Sequence, residues 1–305
     1  MKKLFLSGLV SSLLLVAPNN SLQAQVKILT VNPPVTNPSI ELVHSAHIIA
    51  YDNNIPSRHR LILMIVGTGG YASGSRAMDS VFATMGYHVI SLDYENNVIT
   101  TVCSHSEDSS CFDRYRQEII TGENVSEKVQ VDKTNSLLNR FDYLLRYLIK
   151  SDPGGNWKEF YSDGQPVWNK IITAGHSQGA GHAAYLGKMF RLSGVLMFSG
   201  PQDYLDFLHK PGAWQSKKSA TPPSRFFAFL HLKDPFDVQH QIADDMELMN
   251  LSNIDTLMVQ PGVPVFGNAQ ILVNDIPTNN PHGSTVSLQF QNVWKYMLKR
   301  CSENN

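Results

Sequence analysis

The pentapeptide GHSQG at Gly175–Gly179 constrains this chain more than any other segment. The apolar run IITA precedes it and the small residues AGHAA follow it, an order that predicts a strand, a tight turn and a helix. Glycines on both sides suit a turn in which a Cβ would clash with the facing strand and helix, and a serine at its tip is strained and faces outward. The segment therefore predicts that Ser177 is a nucleophile. On the five residues alone, a glycine-bracketed turn with an incidental serine is the alternative.

Apolar runs of strand length alternate with helical patterns along the rest of the chain. They lie at Arg60–Val66, Tyr87–Leu92, Gly194–Phe198, Phe226–Leu232 and Ile254–Val259. This alternation predicts an α/β fold, with a doubly wound, mostly parallel sheet that carries helices on both faces. Residues 96–122, interpreted as a polar loop, and residues 199–224 are longer than such a fold needs, and we interpret both as insertions.

The first residues have the pattern of a secretory signal peptide. Lys2 and Lys3 form a basic start, and the apolar run Leu4–Ala17 is too short to span a bilayer comfortably. We expect a signal peptide over residues 1–24 and a single domain over residues 25–305, exported to the periplasm or the medium. An uncleaved N-terminal anchor is the alternative. No later stretch is long and apolar enough to span a membrane.

Charge and cysteine content exclude several classes of function. A formal net charge of −1 offers no electrostatic basis for binding nucleic acid or an anionic membrane surface. In an exported protein, Cys103 and Cys111 are close enough to form a disulfide, which leaves Cys301 unpaired. Three cysteines at these spacings do not make a zinc site, and we expect neither a metal nor an organic cofactor. The sequence indicates no oligomeric state.

A serine nucleophile needs a base, and the base needs an acid that orients it. Asp234 is the first carboxylate after the strand Phe226–Leu232, with Asp237 and Asp203 as competitors. His282 lies after the last strand, between a proline and a glycine that favour a sharply turned loop. Other histidines are placed less well, because they flank the elbow or lie within predicted strands and helices: His176, His182, His231 and His240.

The negative oxygen formed during acyl transfer needs two N–H donors. Gln178, the residue after the nucleophile, is the first. The second is expected from the glycine-rich loop after the strand Arg60–Val66, where Thr68 is favoured and Gly69 or Tyr71 are alternatives. This loop lacks the Gly-Lys-Ser/Thr ending and the GxGxxG pattern of nucleotide-binding loops.

Together, the loop VGTGG, the elbow GHSQG, Asp234 and His282 resemble the α/β-hydrolase superfamily. The segment Gly175–Tyr185 is similar to exported bacterial serine esterase-like hydrolases of undefined substrate. The usual His-Gly of the oxyanion strand is Val66-Gly67 here.

The resemblance implies a secreted serine hydrolase that cleaves a carboxylic ester through a Ser-His-Asp triad, with a small-molecule or lipid-like ester as substrate. A serine peptidase or amidase of the same fold and a non-catalytic binding module are the alternatives. Four aromatic residues are candidates for an acyl pocket, with ordinary packing as the other interpretation: Tyr71, Trp157, Trp168 and Trp214.

Overall fold

A computed structural model describes residues 26–303, in which nine strands form one central sheet. The predicted signal peptide, residues 1–24, lies outside the described residues. In chain order the strands are β1 (Lys27–Val31), β2 (His47–Tyr51), β3 (Leu61–Ile65), β4 (His88–Leu92), β5 (Ile171–His176), β6 (Gly194–Phe198), β7 (Phe226–His231), β8 (Thr256–Met258) and β9 (Ile271–Asn274).

The sheet has the strand order β1-β2-β4-β3-β5-β6-β7-β9-β8. Strands β1 and β2 pair antiparallel, β2 pairs antiparallel with β4, and every pairing from β4 to β8 is parallel. The buried strands carry the continuous apolar sequences that a parallel sheet covered on both faces requires. The predicted fold class, a doubly wound, mostly parallel α/β sheet, is confirmed.

Helices cover both faces of the sheet. The six longer helices are α1 (Arg76–Thr84), α2 (Cys111–Thr121), α3 (Leu137–Ser151), α4 (Gln178–Met189), α5 (Val238–Met249) and α6 (Gln291–Glu303). Apolar side chains of α2, α3, α4 and α5 belong to one core cluster, and those of α1 and α6 belong to the other. Because both clusters include strand residues, the sheet lies between two hydrophobic layers.

The parallel strands bring distant segments to one edge of the sheet. The loops after β3, β5, β6, β7 and β9 all leave from the carboxyl ends of neighbouring strands, as the order of strands requires. This edge is where α/β sheets bind their ligands. Ser177, Asp234 and His282 all lie on these connections.

The prediction of a loop over residues 96–122 is wrong for residues 111–121. This segment contains α2, and its apolar residues Phe112, Tyr115, Ile119 and Ile120 are buried in the core. Their spacing is that of a helix face, but the polar residues between them and the polar stretch before Cys111 obscured it. Cys103 and Cys111 form a disulfide at the start of this helix, and Cys301 is free and buried.

Two further boundaries differ from the prediction. His282 lies in a one-turn helix, Pro281–Ser284, because Asn280 caps the main chain there by accepting from Gly283 N. The last helix begins only at Gln291, five residues later than Val286, where the periodic pattern begins. Within residues 26–303, no helix combines the length and apolar character needed to cross a membrane.

Candidate active site

Ser177 occupies a backbone conformation that few residues other than glycine adopt. Its φ is 57° and its ψ is −124°, between the end of β5 and the start of α4. Such a conformation costs about 1–3 kcal/mol and persists only where the surroundings impose it. Ser177 N donates to Phe198 O at 2.8 Å, and Ala180 N donates to Ser177 O at 2.9 Å. These bonds fix the serine at the tip of the turn.

The two glycines of the pentapeptide allow this turn to pack closely. A Cβ on Gly175 would lie 2.0 Å from the carbonyl oxygen of Gly179, and a Cβ on Gly179 would lie 2.1 Å from Ile65 O. Real Cβ atoms do not approach backbone so closely. The steric reason expected from the sequence is therefore present at both positions.

His282 and Asp234 form a direct side-chain pair. His282 Nδ1 lies 2.8 Å from Asp234 Oδ2, and Asp234 Oδ1 accepts from Phe236 N at 2.9 Å. Burial alone raises the pKa of the Asp234 carboxyl, but the hydrogen bond and charge of His282 outweigh it, and the pKa lies below its usual value. An ionised Asp234 accepts from Nδ1–H and leaves His282 Nε2 with a free lone pair.

The main chain of His282 is held from two sides. Its carbonyl oxygen accepts from Ser199 Oγ at 2.7 Å and from His176 Nε2 at 3.0 Å. Removal of the His176 ring from solvent is the main cause that lowers its pKa to about 4, so the ring is neutral at pH 7 and Nε2 carries its proton. His176, within the elbow sequence, thus helps to position the one-turn helix that carries His282.

The two competing carboxylates have other partners. Asp237 is the N-cap of α5 and accepts from Gln239 N and His240 N. Asp203 is fully buried and forms a two-pronged ion pair with Arg116. Neither forms a hydrogen bond with His282 among the residues that the structure describes.

Ser177 and His282 line the same cavity, but no hydrogen bond joins their side chains within residues 26–303. The Ser177 hydroxyl oxygen instead accepts a long bond, 3.4 Å, from Gln202 Nε2. Since Gln202 occupies a lone pair of the oxygen, the hydroxyl proton stays available for donation. Hydrogen bonds between a nucleophile and its base are often long in free enzymes and shorten when substrate binds.

The loop after β3 lies directly against the serine. A Cβ on Gly67 would lie 2.9 Å from Ser177 Cβ, so only glycine allows this approach. Gly69 N donates to Asn96 O at 3.1 Å. Because its N–H is already bonded, Gly69 is a poorer candidate for the second oxyanion donor than Thr68. The N–H groups of Thr68 and Gln178 have no protein acceptor in the described part of the chain.

A cavity of about 500 Å³ opens at Ser177. Its apolar lining includes Met64, Val66, Met78, Ile99, Phe236 and Val286. Of the four aromatic residues considered as pocket candidates, Tyr71 lines it. The three tryptophans do not line it. Trp157 and Trp214 are buried in the core, and Trp168 stacks on Phe190 with ring centroids 4.0 Å apart.

A buried polar network, not anticipated from the sequence, lies behind the elbow. Arg116 Nη1 donates to the carbonyl oxygen of Gln178 at 3.1 Å, and Trp214 Nε1 donates to Asp203 Oδ2 at 2.8 Å. A Cβ on Gly181 would lie 2.0 Å from Arg116 Nη2, so this glycine of α4 makes room for the guanidinium group. The one signal in the sequence is an arginine within the apolar face of α2.

Within residues 26–303, no group of three or more histidine, cysteine, aspartate or glutamate side chains is arranged to hold a metal ion. No known protein family matches the chain in sequence, and no curated protein matches it. Among solved structures the chain is similar to a bacterial heroin esterase, with 11% sequence identity and a TM-score of 0.45. The match covers 92% of this chain and 84% of that chain.

Proposed function

We propose that the protein is an exported serine hydrolase that cleaves carboxylic esters through an acyl-enzyme on Ser177. One observation carries the proposal. The strained serine opens into the same cavity as His282, whose Nδ1 is paired with Asp234 at 2.8 Å. A nucleophile, a base and an orienting acid are the minimum that acyl transfer by a serine requires.

In the first step, Ser177 Oγ attacks the ester carbonyl carbon while His282 Nε2 takes the hydroxyl proton. Asp234 holds the imidazole orientation and stabilises the imidazolium. The carbonyl oxygen becomes negative and accepts from the Thr68 and Gln178 N–H groups, which have no other acceptor among the described residues. The C–O bond to the alcohol then breaks as His282 returns the proton to the leaving oxygen.

In the second step, water repeats the sequence. His282 Nε2 takes a proton from the water as its oxygen adds to the acyl carbon. The bond between the acyl carbon and Ser177 Oγ then breaks, His282 returns the proton to Ser177 Oγ, and the acid is released. The apolar lining at Met64, Met78 and Val286 favours an ester with an uncharged hydrocarbon portion. Export is supported by the N-terminal sequence pattern and by the Cys103–Cys111 disulfide.

A fluorophosphonate probe combined with an ester panel tests the proposal. We expect the wild-type protein to be labelled and to hydrolyse p-nitrophenyl esters, and Ser177→Ala to lose both properties. Ser73→Ala, the same change at an exposed serine outside the cavity lining, is the matched control and should retain both. Peptide amides of matched acyl groups are included in the panel.

Three outcomes would contradict the serine mechanism, the ester specificity or the assay itself. Absence of labelling in the wild type, or equal labelling of Ser177→Ala, contradicts a serine hydrolase. Faster cleavage of the amides than of the esters contradicts the ester specificity and indicates an amidase. Loss of activity in Ser73→Ala as well would show that the assay reports folding and not the nucleophile.

A further inference from the structure

A second cavity of about 500 Å³ lies beside the first and has a different chemistry. Side chains with hydroxyl, imidazole, amide and carboxylate groups line most of it. They are Thr101, Ser104, His105, Gln202, Tyr204, Asp206, Asp237 and His240, with Pro235 and Phe236 completing the wall. We refer to it as the polar cavity, and to the cavity at Ser177 as the apolar cavity.

Two residues, Phe236 and Gln202, connect the polar cavity with the proposed site. Phe236 lines both cavities, and its ring packs on His282 with centroids 4.6 Å apart. Gln202 lines the polar cavity and donates to Ser177 Oγ at 3.4 Å. A substrate whose scissile bond lies at Ser177 can therefore extend into both cavities.

The polar cavity has a negative charge balance. Two carboxylates, Asp206 and Asp237, contribute to the lining, and no lysine or arginine is among the described lining residues. Asp206 is held between two rings, with Oδ2 3.2 Å from His105 Nδ1 and Oδ1 3.5 Å from His240 Nδ1. Its carboxylate therefore has a defined position in the cavity.

Gln202 places an amide group between the polar cavity and Ser177. The residue is only 6% exposed, and its Nε2 donates to Ser177 Oγ and to Ser199 O. Its Oε1 makes no hydrogen bond with the residues that the structure describes and is reached by solvent, so it can accept from a donor group of a bound molecule.

Aromatic faces complete the cavity. Tyr204 stacks on His240 with ring centroids 3.8 Å apart and an interplanar angle of 13°. Phe236 contributes a third aromatic ring to the lining. Carboxylates together with aromatic faces are the environment that organic ammonium groups prefer, because charge attraction and contact with ring faces act together.

From this arrangement we infer that the preferred substrate is an amphipathic ester, with a hydrocarbon portion in the apolar cavity and a cationic ammonium group in the polar cavity. This inference rests on the proposed esterase function. Asp206 is the specificity residue, since its carboxylate has a defined position in the lining and supplies the charge that attracts the ammonium group. Gln202 accepts a donor close to the scissile bond.

Two esters of the same shape and different charge test the inference. Butyrylcholine and 3,3-dimethylbutyl butyrate differ mainly by the exchange of a quaternary nitrogen for a carbon. We expect wild-type kcat/KM to be higher for the cationic ester. Asp206→Asn should lower the cationic-to-neutral ratio by about threefold to tenfold, a modest factor because Asp206 is partly exposed and solvent screens its charge.

Asp163→Asn is the matched control, because it makes the same chemical change at an exposed turn residue that lines neither cavity. It should leave the ratio unchanged. Ionic strength provides a readout that needs no variant: added salt should raise KM for the cationic ester and leave KM for the neutral ester unaffected.

The outcomes separate this inference from the proposed function. A neutral ester cleaved as well as the cationic one, with no effect of Asp206→Asn or salt, overturns the ammonium specificity and leaves the esterase intact. A preference for glyceryl monobutyrate over both indicates a hydroxyl-rich substrate and also overturns it. Failure to cleave any ester, with no labelling by the probe, removes the proposed function and this inference together.

Discussion

Thr68 Oγ1 donates a hydrogen bond to Gln178 Oε1, which joins the loop after β3 to the first residue of α4. The main-chain N–H groups of these same two residues lack a protein acceptor within residues 26–303. Gln178 Nε2 also lies 3.4 Å from His182 Nε2 on the next turn of the helix. A side-chain bond therefore fixes the spacing between the two groups that we expect to bind the oxyanion.

Replacement of Thr68 by valine tests this relationship. Valine keeps the shape of the side chain and removes its donor, so the loop loses its tie to Gln178. We expect kcat for p-nitrophenyl butyrate to fall about fivefold to thirtyfold, or about 1–2 kcal/mol, with little change in KM. Thr68→Ser keeps the hydroxyl and should restore most of the rate. Equal kcat values for the valine and wild-type proteins would show that the bond has no role.

Asp234 and Asp237 are three residues apart and allow a direct comparison. Asp234→Asn removes the charge that orients His282, and we expect kcat to fall by about 10³–10⁴. Asp237→Asn should retain stability and activity towards the neutral ester p-nitrophenyl butyrate, because asparagine also serves as an N-cap for α5. Steady-state kinetics and thermal unfolding of both variants check this. A larger loss of kcat in Asp237→Asn would reverse the assignment of the acid.

Asp79 on α1 makes the stability of the fold depend on pH. Burial raises the pKa of this carboxyl well above its usual value, and the hydrogen bond from Ser91 opposes this only in part. The unfolded chain then loses its proton at a lower pH than the folded protein does. The contribution of Asp79 to stability is therefore present in acid and is lost as pH rises from about 4 towards the raised pKa.

Asp79→Asn cannot ionise and should remove this part of the pH dependence. We expect the free energy of unfolding of the variant, relative to wild type, to increase as the pH rises. Urea unfolding at a series of pH values measures this difference in the free energy of unfolding, with Asp163→Asn at an exposed turn as the control. Parallel pH profiles for wild type and Asp79→Asn would contradict the raised pKa.

The Cys103–Cys111 disulfide closes a short loop at the start of α2. With a sequence separation of 8, removal of the cross-link should lower the free energy of unfolding by about 2–3 kcal/mol. The double variant Cys103→Ala, Cys111→Ala is compared with wild type by urea unfolding, with and without reductant. Reductant should destabilise wild type only, and an equal effect on the double variant would assign the sensitivity to another group.

Local sequence patterns were sufficient for the nucleophile turn and for the buried central strands, but they did not find the strands Lys27–Val31 and Ile271–Asn274. Apolar runs of strand length and the glycine-bracketed Ser177 depend on neighbours within a few positions, so a pattern reveals them directly. The same reasoning failed for α2, where polar residues interrupt the apolar face and the preceding polar stretch resembles a loop. For the tryptophans it left pocket lining and ordinary packing both open, because their burial depends on distant packing partners.

The sequence by itself determined the fold class and a short set of candidate carboxylates and histidines. Only the tertiary structure decided that His282 meets Asp234, 48 positions away, while Asp203 is bound to Arg116. The physical reason is that strand order in the sheet sets which loops become neighbours, and no local spacing encodes that order. The polar cavity arises in the same way, since Ser104, Asp206 and His240 lie on the connections after β4, β6 and β7, which meet only in the folded chain.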